Sequence, residues 1–144
     1  MVIIAAVDRS EDENRVVEEA ATLAEAFDDP LRLIHVLSRS EFAELGQTQT
    51  QDGGAADIDE IRDTAAGFAR KAAERLGPER PYEAVGLIGK PAEEINKYAE
   101  SHDARYVVLG GQARSPTGKA LFGSVTQNVL LNSDRPVVTV MRQK

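Results

Sequence analysis

Apolar residues along this chain fall into two alternating patterns. Val2–Asp8 (VIIAAVD), Leu31–Leu37 (LRLIHVL), Tyr82–Ile88 (YEAVGLI), Tyr106–Leu109 and Pro136–Met141 are strand-length runs. They lack the apolar–polar alternation of a sheet with one wet face, as expected for strands covered on both sides. Between them apolar positions recur at helical spacing. The sets are Val16, Ala20, Leu23, Ala24 and Phe27; then Ile61, Ala65, Phe68, Ala72 and Leu76; then Ala92, Ile95 and Ala99. Steps of three and four residues place each set on one helix face.

The punctuation agrees with this division. Ser10 and Glu13 have the spacing of a capping box, as do Asp57 and Glu60, and such pairs satisfy the unbonded amides of a first turn. Asp28-Asp29-Pro30 and Gly77-Pro78 are stops, and Pro91 suits the first position of a helix. A last helix opens at Gly123-Ser124. Residues 38–56 (SRSEFAELGQTQTQDGGAA) lack sustained periodicity; they are expected to form one long mobile loop, a lid over the end of the sheet.

Strict strand–helix alternation predicts an α/β fold, a single doubly wound five-stranded parallel sheet with helices on both faces. Right-handed crossovers favour the strand order 3-2-1-4-5, with the less apolar Tyr82–Ile88 strand at an edge. The switch point then lies between strands 1 and 4, at Asp8 and Gly110, where such sheets bind ligands. A length of 144 residues fits one domain, 1–144, and neither an internal repeat nor a linker is visible.

Charge sharpens the picture. Acids outnumber cations 24 to 17, for a net charge of −7, which argues against a nucleic-acid or anionic-membrane partner. Arginine outnumbers lysine 12 to 5, and acid-rich, lysine-poor surfaces of this kind occur in high-salt cytoplasm. The absence of cysteine removes disulfides and thiolate metal sites and fits a cytoplasmic protein. Met1 runs directly into the first apolar strand, so no signal peptide is expected, and no run approaches a membrane span.

Against this acidic background, Ala104–Ser133 contains no Asp or Glu, only Arg105, Arg114 and Lys119. A buried strand ending in glycines, a small-residue loop and a helix start are how an α/β sheet gathers backbone N–H groups around an anion. A buried helix would leave the same gap in acids.

These residues resemble the universal stress protein family. Its nucleotide-binding members carry Gly, two residues, Gly, nine residues, then Gly-Ser or Gly-Thr. Here Gly110 is followed by Gly111-Gln112, Ala113, the nine residues Arg114–Phe122, and Gly123-Ser124. Asp8, His35-Val36, Gly89-Lys90-Pro91, Ser124-Val125-Thr126 and Ser133-Asp134-Arg135-Pro136-Val137 match the family as well. The resemblance implies an adenine nucleotide alpha hydrolase-like fold and an adenine nucleotide, ATP first, with Mg²⁺ carried by its phosphates.

Carried over residue by residue, the resemblance sets Ala6, Val7 and Val36 against adenine and Asp8 on the ribose. It sets Gly110, Ala113, Gly123, Ser124, Val125 and Thr126 around the phosphates, with Leu109 and Gln112 from the same pattern. The departure is Ala113, which stands where relatives have the second glycine. Its methyl group penalises a positive φ by roughly 1 kcal/mol; Arg114 and Lys119 offer compensating charge.

Each assignment has a plainer alternative. Asp8 also suits an Asx turn, Ser124 and Thr126 suit helix caps, and Ala6, Val7 and Val36 suit a core. Residues 113–120 (ARSPTGKA) fail as a P-loop, because alanine replaces the first glycine and the hydroxyl residue after Lys119. A phospho-acceptor receiver domain would need an acid after strand 3, where this chain has Ile88-Gly89-Lys90. His35, inside an apolar strand, reads as a core histidine and His102 as solvated; no catalytic or metal-site spacing is legible.

The expectation is therefore a small cytoplasmic, nucleotide-binding stress-response or regulatory protein that is not an enzyme, with a slow ATPase held open. The alternative is a dimeric interaction module of the same family that binds no nucleotide. Strand 5, residues 136–141, has an apolar edge that soluble proteins normally cover, and the resemblance implies a homodimer through it.

Overall fold

Strand β1 (Val2–Ala6) lies at the centre of the sheet, flanked by β2 (Leu31–Leu37) and β4 (Ala104–Gly111), with β3 (Glu83–Ile88) and β5 (Val137–Met141) at the edges. The architecture is that of a computed structural model, which describes residues 1–8, 14–44, 58–74, 80–111 and 122–141. All four ladders are parallel, in the order β3-β2-β1-β4-β5. The expected topology and the expected edge position of the third strand are both observed.

Helices cover both faces, as unalternating strands require. On one face α1 (Asn14–Phe27) and α3 (Ile58–Ala73) pack Val16, Val17, Ala20 and Ala69 onto Ile3, Ala5, Leu33 and Val108. On the other, α4 (Pro91–Ser101) and α5 (Ser124–Asn132) pack Ile95, Ala99 and Val129 onto Ile4, Ile34 and Val107. The small residues of α3 let it ride close on β3. A Cβ at Gly86 would collide with the Arg62 carbonyl and the Ala66 amide nitrogen.

Three sequence expectations need adjustment. The inner face of α1 is wider than the expected stripe: Val16, Ala20 and Ala24 are buried as expected and Val17 and Ala21 with them, whereas Phe27 is 41% exposed, lying beneath the Arg105 guanidinium, 4.5 Å from its ring centroid. Strand β4 is longer than Tyr106–Leu109. Gly110 and Gly111 are part of its ladder, opposite Val140 and Met141, because the adjacent edge strand extends equally far. Finally, 38–56 is not wholly a loop, since residues 39–44 form a helix, α2. Phe42 of α2 packs against Leu37, Ile61 and Ala65, and that burial anchors a segment whose periodicity is too short to read. The capping residues Ser10, Glu13 and Asp57 and the Gly77-Pro78 stop lie outside the described residues.

Candidate functional site

After β1 the chain turns towards α1 on one face; after β4, β1's neighbour, it turns towards α5 on the other. The strand ends therefore open a crevice that neither connection fills. Ala6, Val7 and Asp8 from the end of β1 line a cavity of about 170 Å³ there. Val36 of β2, Leu109 and Gly110 of β4, and Val125 and Thr126 of α5 line it as well. The structure thus brings these eight sequence-selected residues to one place. Ser124 lines an adjoining groove of about 800 Å³ between α4 and α5, which shares Pro91 and Val125 with the cavity. Gln112, Ala113 and Arg114 lie outside the described residues.

A hydrogen bond ties together β4 and α5, the two elements on one side of the crevice. Thr126, buried in the first turn of α5, donates from Oγ1 to the Gly110 carbonyl at 2.8 Å. This holds the helix start against the end of β4. Gly123 is the N-cap, with φ −66° and ψ 164°. The first intrahelical bond runs from the Gln127 amide to the Gly123 carbonyl, so the amides of Ser124, Val125 and Thr126 have no intrahelical acceptor. Donors in this arrangement, with the positive end of the helix dipole, favour an anion.

The β1 side is apolar. The Val7 amide donates to the Ile34 carbonyl at 2.8 Å, and the Val7 carbonyl accepts from His35 Nδ1 at 2.8 Å. Both backbone groups of Val7 are thus engaged, and it offers a ligand chiefly its side chain. Asp8, one residue on, is exposed at the mouth.

Arg105 does not serve the site, although it falls in the acid-free segment. It sits at the amino end of β4, the opposite end, with Nε 2.5 Å from Asp29 Oδ2. That hydrogen bond holds the Asp29 carboxyl below its ordinary value and raises Arg105 above its own.

Five lining residues were not selected as site residues from the sequence: Ile34, His35, Glu41, Pro91 and Ile95. Pro91 and Ile95 belong to the helix that covers this end of the sheet. Glu41 had a legible signal, because Ser38-Arg39-Ser40-Glu41 has capping-box spacing and makes that contact: the Glu41 amide donates to Ser38 Oγ at 3.3 Å. His35, read as core, is 3% exposed, yet it also lines the cavity and only its Nδ1 is hydrogen-bonded.

Among the described residues no helix is long and apolar enough to cross a membrane. The universal stress protein MJ0577 of Methanocaldococcus jannaschii is 37% identical over 57 residues, 40% of this chain and 35% of that protein. The aligned segment therefore spans about a third of MJ0577, whereas its solved structure superimposes with a TM-score of 0.69 at 22% identity, covering 98% of this chain and 96% of that one. Universal stress protein MJ0531 of the same organism is 28% identical over 142 residues, 99% of this chain and 82% of that protein. Two further structures share the fold. One is an Archaeoglobus fulgidus universal stress protein in complex with dAMP (TM-score 0.56, 23% identity, 96% of both chains). The other is a universal stress protein in complex with cAMP (TM-score 0.61, 21% identity, 99% of this chain and 98% of that one). The universal stress protein family model matches residues 1–141, and the chain belongs to that family.

Proposed function

We propose that the crevice between β1 and β4 binds an adenine nucleotide, ATP in preference, and that the chain is a cytoplasmic stress-response protein acting by binding rather than turnover. The observation that carries this reading is the convergence of apolar β1 and β2 ends, the Asp8 carboxylate and the first turn of α5 on one cavity. The dAMP and cAMP complexes of proteins with this fold support it.

The dimensions fit a divided ligand. At about 170 Å³ the cavity is smaller than the roughly 300–1,000 Å³ of a typical small-molecule site. It would take the base against Ala6, Val7 and Val36 and the ribose at Asp8. The phosphates would lie beside Gly110, Gly123 and the amides of Ser124, Val125 and Thr126, where the larger groove begins. Gln112, Ala113 and Arg114 would complete that end, and Mg²⁺ would arrive with the phosphates.

Calorimetric titration with ATP and with ATP–Mg²⁺ tests the proposal. Saturable binding that Asp8→Ala weakens at least roughly tenfold is expected, a ribose hydrogen bond to a charged acceptor being worth about 1.5–3 kcal/mol. No heat and no thermal shift at millimolar ligand would overturn it. Steady phosphate release abolished by Ser124→Ala would replace binding with slow hydrolysis.

A second reading, an interaction module without nucleotide, is favoured by Ala113 at the motif's second glycine position. Both readings include a homodimer through β5, an edge strand whose residues 137–141 are all apolar or Thr. A monomeric mass in light scattering at micromolar concentration would remove the dimer.

A further inference from the structure

We propose that the groove between α4 and α5 is a second subsite, for an uncharged, hydrogen-bonding ring group joined to the nucleotide through its phosphates. The inference rests on the nucleotide reading above and makes the ligand class of that site two-headed nucleotides. Both α4 and α5 are crossover helices of a parallel sheet, so both start at the carboxyl end of the strands and run back over one face. The groove between them therefore opens at the phosphate end of the nucleotide site. Pro91 and Val125, in the first turns of the two helices, line cavity and groove alike. From there the groove passes Asn96 and Asn128. It reaches Glu100 on α4 and Asn132 on α5, the latter about 12 Å along its helix from Ser124.

The groove holds more than phosphates require. Its volume of about 800 Å³ is that of a complete small-molecule site, whereas the phosphates of the nucleotide take only the end at Ser124. The lining says what suits the remainder. Lys90 and Lys97 are matched in number by Glu93 and Glu100, so these side chains leave no net charge to attract a further anion. Lys90, at the N-cap of α4, stands at the end nearest the cavity, where a phosphate bridge would pass.

Between the charges lies a run of neutral polar side chains. Ser124, Asn128 and Asn132 recur every four residues along α5, and Asn96 lines the groove from α4. Asn96 is half-buried, and its Oδ1 is covered and makes no hydrogen bond. A covered acceptor without a donor is a cost that the fold leaves uncompensated, and a ligand that brings the donor removes it. A half-turn of the amide exchanges its two ends, so Asn96 can present either one to the groove. Amides donate and accept side by side, which matches a nucleobase edge or a pair of sugar hydroxyls. They offer little to an acyl chain and no charge to another phosphate.

The test is calorimetric titration of wild type, Asn96→Ala and Asn128→Ala with two pairs of ligands: diadenosine tetraphosphate against ATP, and ADP-ribose against ADP. Wild type is expected to bind a two-headed ligand at least roughly tenfold more tightly than its one-headed counterpart, the scale of two neutral hydrogen bonds. That gain exceeds the statistical advantage of a ligand with identical ends. Asn96→Ala, shown folded by circular dichroism, should remove most of the difference, and Asn128→Ala should reduce it. A gain confined to diadenosine tetraphosphate identifies the second group as a nucleoside, and one confined to ADP-ribose identifies it as a sugar. Two-headed ligands binding no more tightly than ATP and ADP, or gaining as much in folded Asn96→Ala as in wild type, would overturn the second subsite and leave nucleotide binding standing. No binding of any of the four overturns both.

Discussion

Replacing Thr126 with valine tests whether the start of α5 is held to the sheet by one bond. The side chain is 6% exposed, and its Oγ1 donates to the Gly110 carbonyl at 2.8 Å. Valine keeps the shape and exchanges the donor for a methyl group. Leaving a buried acceptor short of its donor costs about 1–3 kcal/mol. The added methyl returns at most about 0.8 kcal/mol. From the middle of that range the net loss is about 1.2 kcal/mol, and with a urea slope of about 1–3 kcal/mol/M the unfolding midpoint should fall by roughly 0.4–1.2 M. Thr126→Ser is the companion variant, since it loses the methyl group and keeps the hydroxyl. The two variants should lose comparable stability but separate in nucleotide titrations, where valine weakens binding and serine does not. Thr126→Val unfolding at the wild-type urea concentration, or binding ATP as well as Thr126→Ser, would refute the reasoning.

Glycines at two positions should respond unequally to alanine. Gly86→Ala drives a Cβ into the α3 backbone at Arg62 and Ala66 and should cost about 3 kcal/mol or more in urea unfolding. Gly111→Ala meets the Met141 sulfur at 2.5 Å, a flexible side chain, and should cost about 1 kcal/mol. The Asp29–Arg105 pair predicts an acid-dependent contribution. Arg105 lowers the folded-state Asp29 value below 3.8, so the stabilisation is fully present above about pH 4 and lost as pH falls through that lowered value. The melting-temperature difference between wild type and Arg105→Gln should therefore be constant near neutrality and narrow in acid; a difference that widens in acid would contradict the pairing. Ala113→Gly should tighten ATP binding by up to about tenfold by removing the penalty on a positive φ, and unchanged calorimetric affinity would show that position 113 is remote from the phosphates.

The sheet was legible because its physics is local. Five unalternating runs separated by helical stripes leave few topologies, and the switch point follows from strand order. Asp8, Gly110 and Thr126 were legible because they sit at the ends of those strands and at the following helix start. What sequence reasoning missed depends on tertiary packing. The α2 helix is too short for a period and is secured by Phe42 inserting between β2 and α3. Glu41 reaches the cavity only because of that anchor, so its capping-box spacing signalled a helix start without signalling a site. Arg105 was grouped with the phosphate-facing segment by proximity in sequence, yet an eight-residue strand carries it to the far end of the sheet. Phe27 fits the helical stripe of α1 but, as the last residue of that helix, stays 41% exposed beside the Arg105 guanidinium.

The most direct measurement of the central claim is an amide-resolved NMR titration of the full chain with ATP–Mg²⁺. The account predicts that the largest shifts cluster on Asp8, Gly110, Ser124, Val125 and Thr126, at the carboxyl end of the sheet. Shifts centred on the amino ends of the strands, around Asp29 and Arg105, or no shifts at millimolar nucleotide, would contradict it.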